Sequence, residues 1–476
     1  MKTFLTVALT VSAAMIGAQQ PDRSHPPAIG PAPSLHVPPI EKRTLSNGLP
    51  VWVVGMHKVP TVHVELALRV GSGADTPGKF GIASLTADML DEGAGGRTAL
   101  QIADAVDYLG AQLTTSSSFD ASYIDLHVPV ARLADALPIM ADVVERPSFP
   151  DPELQRLRQE RLTGLLQAQD DPEQLIEFAF PRLVYGRQHR YGTGTLGTAA
   201  SLGAFTPDDL RQFHAAYYRA DLATLVVAGD VAADKILPQL EEAFRALRRS
   251  GPAPPDAAAP PIASSRAARR VYLIDKPGAA QSQIRIGGVG VPRSTPEYFA
   301  LRVLNTVLGG AFTSRLNLNL REQHGYAYGA SSAFEMRRSA GPFYAAAGVQ
   351  TDKTAEALKE FFNELTRIHE TVPADELQKA ENYLALLLPR NFETTRGVAA
   401  SFSQLFVYGL PQDFYSTYGD RVRGVTAADV KRAADRYIQP GKATIVVIGD
   451  RKVIEPALQA LHLGPLTVVD SADVLK

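Results

Sequence analysis

The sequence predicts an α+β protein made of two homologous α+β domains, a tandem duplication in which antiparallel sheets are flanked by helices. Three observations predict it. First, "TPDDLRQFHAAYYRADLATLVVAGDV" (206–231) matches "TAADVKRAADRYIQPGKATIVVIGDR" (426–451) without a gap. Ala223 and Ala443 open the shared core A-T-[LI]-V-V-x-G-D, and Thr206 and Thr426 keep the same offset (443 − 223 = 220). Second, "FPRLVYG" (180–186) returns as "SQLFVYG" (403–409). Third, strands and helices come in runs rather than in strict alternation, which favours α+β halves over a parallel doubly wound sheet.

Taken in order, residues 1–18, "MKTFLTVALTVSAAMIGA", read as a secretory signal: a lysine, an apolar stretch, then small residues ending at Ala18. Residues 19–41 are rich in proline and read as an extended segment. An N-terminal domain is expected over 42–249. It opens with strands in "PVWVVGM" and "TVHVELALRV", where Val enrichment combines with partial alternation. "GIASLTADMLDEGA" (81–94) follows as an amphipathic helix. "TALQIADAVDYLGAQL" carries a capping box at Thr98 and Gln101 and a stop at Gly110. "SYIDLHVPV" reads as strand and "LADALPIMADVVE" as helix. The Pro/Ala-rich stretch 250–270 reads as a linker. The C-terminal domain, 271–476, repeats the plan with strands "RRVYLID" and "SQIRIGGVGV" and helix "PEYFALRVLNTVLGG".

Composition narrows the function. Hydrophobic residues make up 45% and charged residues 21% of the 476 residues, enough to bury large cores. A formal net charge of −2 argues against nucleic acid or an anionic membrane as a partner read by bulk charge. With no cysteine there is no disulfide, thiolate metal site or Cys nucleophile. No G-x-S-x-G or Ser-Lys signature is present. After the signal no apolar run is long enough for a stable membrane insertion. The expectation is an exported, periplasmic protein.

On the helix at 81–94, Ser84 and Asp88 are four residues apart and share a face, with Ala87 beside them. The order "LSNGLPVWVV…VHVELALRVGSGADTPGKFGIASLTADML" resembles the start of the pitrilysin/insulinase-type zinc peptidases, which include the mitochondrial processing peptidases. The resemblance spans roughly residues 42 to 460. It implies a first motif, H-x-x-E-H, whose two His bind zinc and whose Glu acts as general base. The matching positions here are Ser84, Ala87 and Asp88. The distal ligand of the family, a Glu before a D-D-P-like ending, falls at Gly164 when counted back from Asp170-Asp171-Pro172. One carboxylate cannot replace three protein ligands, so no family-type zinc site is expected and no metal in this chain. Among the ten histidines there is no H-x-x-x-H pair on a plausible helix; His57 and His63 are read as ordinary histidines flanking a turn.

A second motif persists. "LGGAFTSRLNLNLREQHGYAYGASS" (308–332) resembles the family's C-terminal signature, with a Gly pair, a Ser-Arg-Leu helix, L-R-E and a Gly/aromatic stretch. The resemblance makes Arg321 and Tyr328, seven apart, donors that bind substrate near the scissile carbonyl, with Tyr326 as the rival tyrosine. It implies a non-catalytic, substrate-binding subunit of a heterodimeric zinc-dependent peptidase. The homologous partner would carry H-x-x-E-H and the zinc, and the substrates would be peptides or unfolded segments in a clam-shell chamber of which this chain forms half. The alternative is a structural or assembly scaffold without peptidase activity.

Overall fold

A computed structural model describes residues 35–251, 263 and 267–475. The expected signal, the start of the Pro-rich segment and most of the linker lie outside the described residues. In half one the chain runs β1 (Glu41–Thr44), β2 (Pro50–Gly55), β3 (Thr61–Leu68), α1 (Ile82–Asp88), β4 (Gly93–Ala94), β5 (Arg97–Thr98), α2 (Ala99–Tyr108), β6 (Gln112–Ser117) and β7 (Ser122–Pro129). It continues through α3 (Leu133–Glu145), α4 (Asp151–Asp170), α5 (Pro172–Tyr185), α6 (Ala199–Ala204), α7 (Pro207–Tyr217), β8 (Ala223–Gly229) and α8 (Ala233–Ala243). Half two runs β9 (Arg270–Asp275), β10 (Gln281–Val289), α9 (Tyr298–Asn305), α10 (Arg315–Asn317), β11 (Ala327–Phe334), β12 (Pro342–Gln350), α11 (Thr354–Arg367) and α12 (Ala374–Leu387). It ends with α13 (Thr395–Tyr408), α14 (Tyr418–Arg423), α15 (Ala427–Tyr437), β13 (Thr444–Gly449), α16 (Arg451–Ala460), β14 (Leu466–Val469) and α17 (Ser471–Leu475).

The duplication is visible in the sheets. Half one has strand order β1-β2-β8-β3-β7-β6; half two, read from the same side, has β14-β9-β13-β10-β12-β11. The repeated segments start alike: Thr206 caps α7 through Asp209, and Thr426 caps α15 through Asp429, each as a capping box. β8 and β13 are central, buried along their whole length, and read accordingly as continuous apolar runs.

The expected antiparallel sheets need correction, because both are mixed. β3 is antiparallel to β7 and β8, but β2 runs parallel to β8, and β9 parallel to β13 and β14. A long helical excursion separates β7 from β8, and such a crossover lets a returning strand insert in parallel between earlier ones. The helix expected over 81–94 is also shorter, ending at Asp88. The chain turns there into the β4–β5 hairpin, whose Gly95 and Gly96 both take positive φ. A Cβ on Gly95 would lie 2.0 Å from the Asp142 carboxylate.

Each sheet buries one face against its own helices and the other against a helix of the opposite half. Along β3, Val62, Val64, Leu66 and Leu68 join the core of half one. The other face of this sheet, with Val54, Val226 and Ala228, packs on Val398, Phe402 and Leu405 of α13. Reciprocally, Leu175, Ile176 and Phe180 of α5 pack on Ile274, Val446 and Ile448 of half two. The repeated "VYG" tyrosines lock this exchange. Tyr185 donates to the Ala340 carbonyl at 2.9 Å, and Tyr408 donates to Asp120 at 3.0 Å.

Candidate functional site

α1 is buried on almost every side, so its polar groups need partners inside the protein. Its N-terminus begins at Gly81, whose φ of 98° suits glycine and whose Cβ would lie 2.5 Å from the Leu196 carbonyl. Asp75 accepts from the Gly81 and Ala83 N–H groups and is itself held by Arg190 at 3.0 Å. Ser84 donates to the Thr195 carbonyl at 2.7 Å.

Arg161 of α4 then completes the arrangement. Its guanidinium donates to Ser84 Oγ at 3.0 Å and to a carboxylate oxygen of Asp88. The Arg161 side chain is only 6% exposed, so these bonds form largely out of water. Two of the three family ligand positions are thus bridged by a fixed cation. Ala87, the position of the base, is completely buried. Gly164 lies one turn beyond Arg161 on α4, and a Cβ there would meet nothing within 4 Å. The donor set does not fit zinc: a hydroxyl, one carboxylate and a guanidinium offer too few ligands and a like charge. Asp91, just after α1, has its carboxyl pushed up to about 6 by burial, with the charges of Glu92 and Asp88 adding to it. Arg161 was not among the residues singled out from the sequence. Its only sequence signal is its place one helical turn before Gly164.

In half two the second motif is built differently. α9 runs on into a π-helical turn, Thr306–Gly310, and α10 into another, Leu318–Gln323. Such turns are frequent at functional sites. Gly309 allows the first to press on β11, since a Cβ would lie 2.3 Å from the Ser332 nitrogen. Asn317 ties the loop to the strand: it donates to the Phe312 carbonyl at 2.6 Å and accepts from the Ala330 N–H at 3.0 Å. Arg315 is a structural residue, buried and bonded to Glu376 at 2.7 Å.

Arg321 projects from the second π turn. Its guanidinium lies 4.5 Å from the Phe312 ring centre and 5.4 Å from that of Tyr328. Both rings face solvent, Tyr328 at 87% and Phe312 at 65% exposure. The two tyrosines differ in setting. Tyr326 packs against the core of half two and stacks on His324 at 5.0 Å. Glu322 lies 3.3 Å from the Arg321 Nε, and the Arg321 side chain is half-buried. Arg321 and Tyr328 thus stand together beside an edge strand, with a third surface residue, Phe312, that the sequence did not reveal.

His63 and its neighbours also depart from expectation. His57 sits exposed at the turn, 2.7 Å from Asp230. His63 is inside β3 and fully buried. Its Nε2 lies 3.0 Å from Asp125 and 3.9 Å from Glu65. Burial opposes its charge, but Asp125 and Glu65 outweigh that and hold the imidazole above its ordinary range. Burial likewise raises the Glu65 carboxyl. The signal available in the sequence was period two: H-x-E on one strand and D-x-H on another place four polar groups on one sheet face.

Fold and site together define a tandem peptidase-like chain whose first-motif position is closed by an arginine and whose second motif is open. Two family models match it, "Insulinase (Peptidase family M16)" over residues 52–198 and "Peptidase M16 inactive domain" over 204–384. The chain belongs to peptidase family M16. An uncharacterized zinc protease of Rickettsia bellii is 27% identical over 415 residues, covering 85% of this chain and 96% of that relative. An uncharacterized zinc protease of Bacillus subtilis is 26% identical, covering 75% and 85%. The crystal structure of a peptidase M16 inactive domain from Pseudomonas fluorescens superposes with a TM-score of 0.80 at 25% identity, covering 87% of this chain and 98% of that one. A protease from Helicobacter pylori has the same fold, with a TM-score of 0.80 at 23% identity and coverage of 86% and 99%.

Proposed function

We propose that this chain is the non-catalytic, substrate-binding subunit of a heterodimeric, periplasmic zinc peptidase acting on peptides or unfolded segments. The observation that carries the reading is the contrast within one chain: Arg161 is buried against Ser84 and Asp88, while Tyr328 stands exposed with the half-buried Arg321 beside it. A homologous partner with H-x-x-E-H would supply zinc. This chain would supply half of the clam-shell and two hydrogen-bond donors for a substrate carbonyl. Guanidinium and phenol both donate, and donors aimed at a developing oxyanion act only where they are held in place. The Phe312 and Tyr328 rings lie 4.5 and 5.4 Å from the guanidinium, and Glu322 lies 3.3 Å from its Nε.

The test is made in the reconstituted heterodimer. Arg321→Ala and Tyr328→Phe are each expected to lower turnover on the order of 10²-fold, roughly 3 kcal/mol, with the complex still assembled. Arg321→Lys rescues only in part, because an ammonium lacks the planar fork. Tyr326→Phe serves as the control and is expected to be nearly silent. Unchanged turnover in both the Arg321 and Tyr328 variants would instead make the chain an assembly scaffold.

A further inference from the structure

The face of half one's sheet that receives α13 carries a group of side chains for which the proposed function has no use. His63 lies opposite His127 and Glu65 opposite Asp125 on the β3–β7 ladder. His63 and Glu65 are buried, while the Asp125 side chain is 20% exposed and opens the group to one side. One donor atom from each of His63, Glu65 and Asp125 falls within 4.8 Å of the others. The Oε1 atom of Glu65 is buried without a hydrogen-bond partner. A buried, unpaired carboxylate oxygen is costly, so something must offset it.

The duplication sharpens the point. Glu65 faces Val226 on β8, and Arg285 faces Val446 on β13, so the two positions are related by the same offset of 220 (285 − 65 = 220; 446 − 226 = 220). In half two the Arg285 charge is met directly: it bonds Glu177 of α5 at 2.9 Å and lies 4.2 Å from the Tyr344 ring centre. In half one the counterpart is an acid beside a second acid, with one imidazole between two carboxylates. α13 brings Ser403 close to Glu65 there, but the Ser403 hydroxyl forms no hydrogen bond of good geometry.

We propose that His63, Glu65 and Asp125 bind one divalent transition-metal ion of the zinc class at the seam between half one's sheet and α13. A neutral imidazole and two carboxylates balance a charge of two. Zinc bonds nitrogen and oxygen donors at about 2.0–2.2 Å, so donors around one ion stand roughly 3–3.6 Å apart. From His63 Nε2, Asp125 stands at 3.0 Å and Glu65 Oε2 at 3.9 Å, so the first pair has to open slightly and the second to close slightly. A nitrogen-and-oxygen donor set suits zinc and its first-row neighbours. The site is separate from Ser84 and Asp88. Ile82 and Leu85 of α1, with Met89 just after it, share the core with Val62 and Val64, on the opposite face of β3.

The full chain, stripped with a chelator and titrated with zinc chloride in a calorimeter, is expected to bind one equivalent and to unfold at a higher temperature. Glu65→Gln and Asp125→Asn, both near-isosteric, each weaken binding by about tenfold or more, as loss of a ligand should exceed loss of an outer-shell partner. His63→Gln removes it. Asp88→Asn and His57→Gln leave it unchanged. Cobalt(II) in place of zinc gives visible absorption that Glu65→Gln alters, a readout that does not depend on the His63 variant folding. Absence of a bound equivalent, binding indifferent to all three ligand changes, or binding lost in Asp88→Asn would overturn the proposal.

Discussion

The two motif regions of this chain solve opposite problems. Around α1, Ser84 and Asp88 have each been given a partner, and their face of the helix is closed off by Arg161. Around α10 and β11, buried groups such as Asn317 and Arg315 spend their bonds on fixing the frame, Tyr328 faces outward, and Arg321 lies half-buried beside it with Glu322 as its ion partner. The internal hydrogen bonds of Ser84 and Asp88 are what mark the first region as structural. An exposed Tyr328 held beside Arg321 on a rigid frame is what suits the second region to the binding role proposed for it.

The comparison is broken most severely by rebuilding the first region. The triple change Ser84→His, Ala87→Glu and Asp88→His is expected to leave zinc weakly held, because the distal ligand is missing. Adding Gly164→Glu, for which α4 has room, should raise affinity by at least about tenfold. Replacing Arg161 by alanine in that background should raise it again by removing the like charge. Equal affinity with and without Gly164→Glu, measured by chelator competition in a His63→Gln background so that only the rebuilt site is read, would show that the distal position lies elsewhere on α4.

In the otherwise unaltered chain, Arg161→Ala removes two buried-side donors and leaves space around Ser84. A loss of about 2 kcal/mol in denaturant unfolding is expected, smaller than for a fully buried pair because the Asp88 carboxylate is 41% exposed. A neutral result would mean that Asp88 is simply solvated.

The smallest effect concerns Asp91. Its folded-state carboxyl is raised to about 6. The native state therefore holds a proton that the unfolded state has already released, and stability falls as pH rises from about 4 to 6. Asp91→Asn lacks this loss. Above pH 6 it should be more stable than the parent by roughly 1–2 kcal/mol after allowance for partial exposure, with the gap vanishing below pH 4. A pH-independent gap would assign the change to packing instead.

Much of this organisation was legible in the sequence because it rests on local rules. The capping box at Thr98 and the stop at Gly110 act within a few residues. The repeat survives because both halves bury equivalent central strands. The parallel pairing of β2 with β8 was not legible, since it depends on where a strand returns after five helices. Arg161 was missed because its meaning comes from Ser84 and Asp88, more than seventy positions away. His63 was misread as a turn residue because the strand face it occupies is covered by α13 from the other half, and no local pattern announces that cover.

The central claim is that this chain cannot perform peptide hydrolysis by itself but contributes to a site completed by another chain. The most direct test incubates the purified chain with an unstructured peptide and saturating zinc, alone and then with a homologous chain carrying H-x-x-E-H. No turnover is expected from the chain alone, zinc or not, and chelator-sensitive turnover with the partner is expected to fall with Arg321→Ala. Steady, chelator-sensitive turnover by the isolated chain that disappears in Asp88→Asn would contradict it.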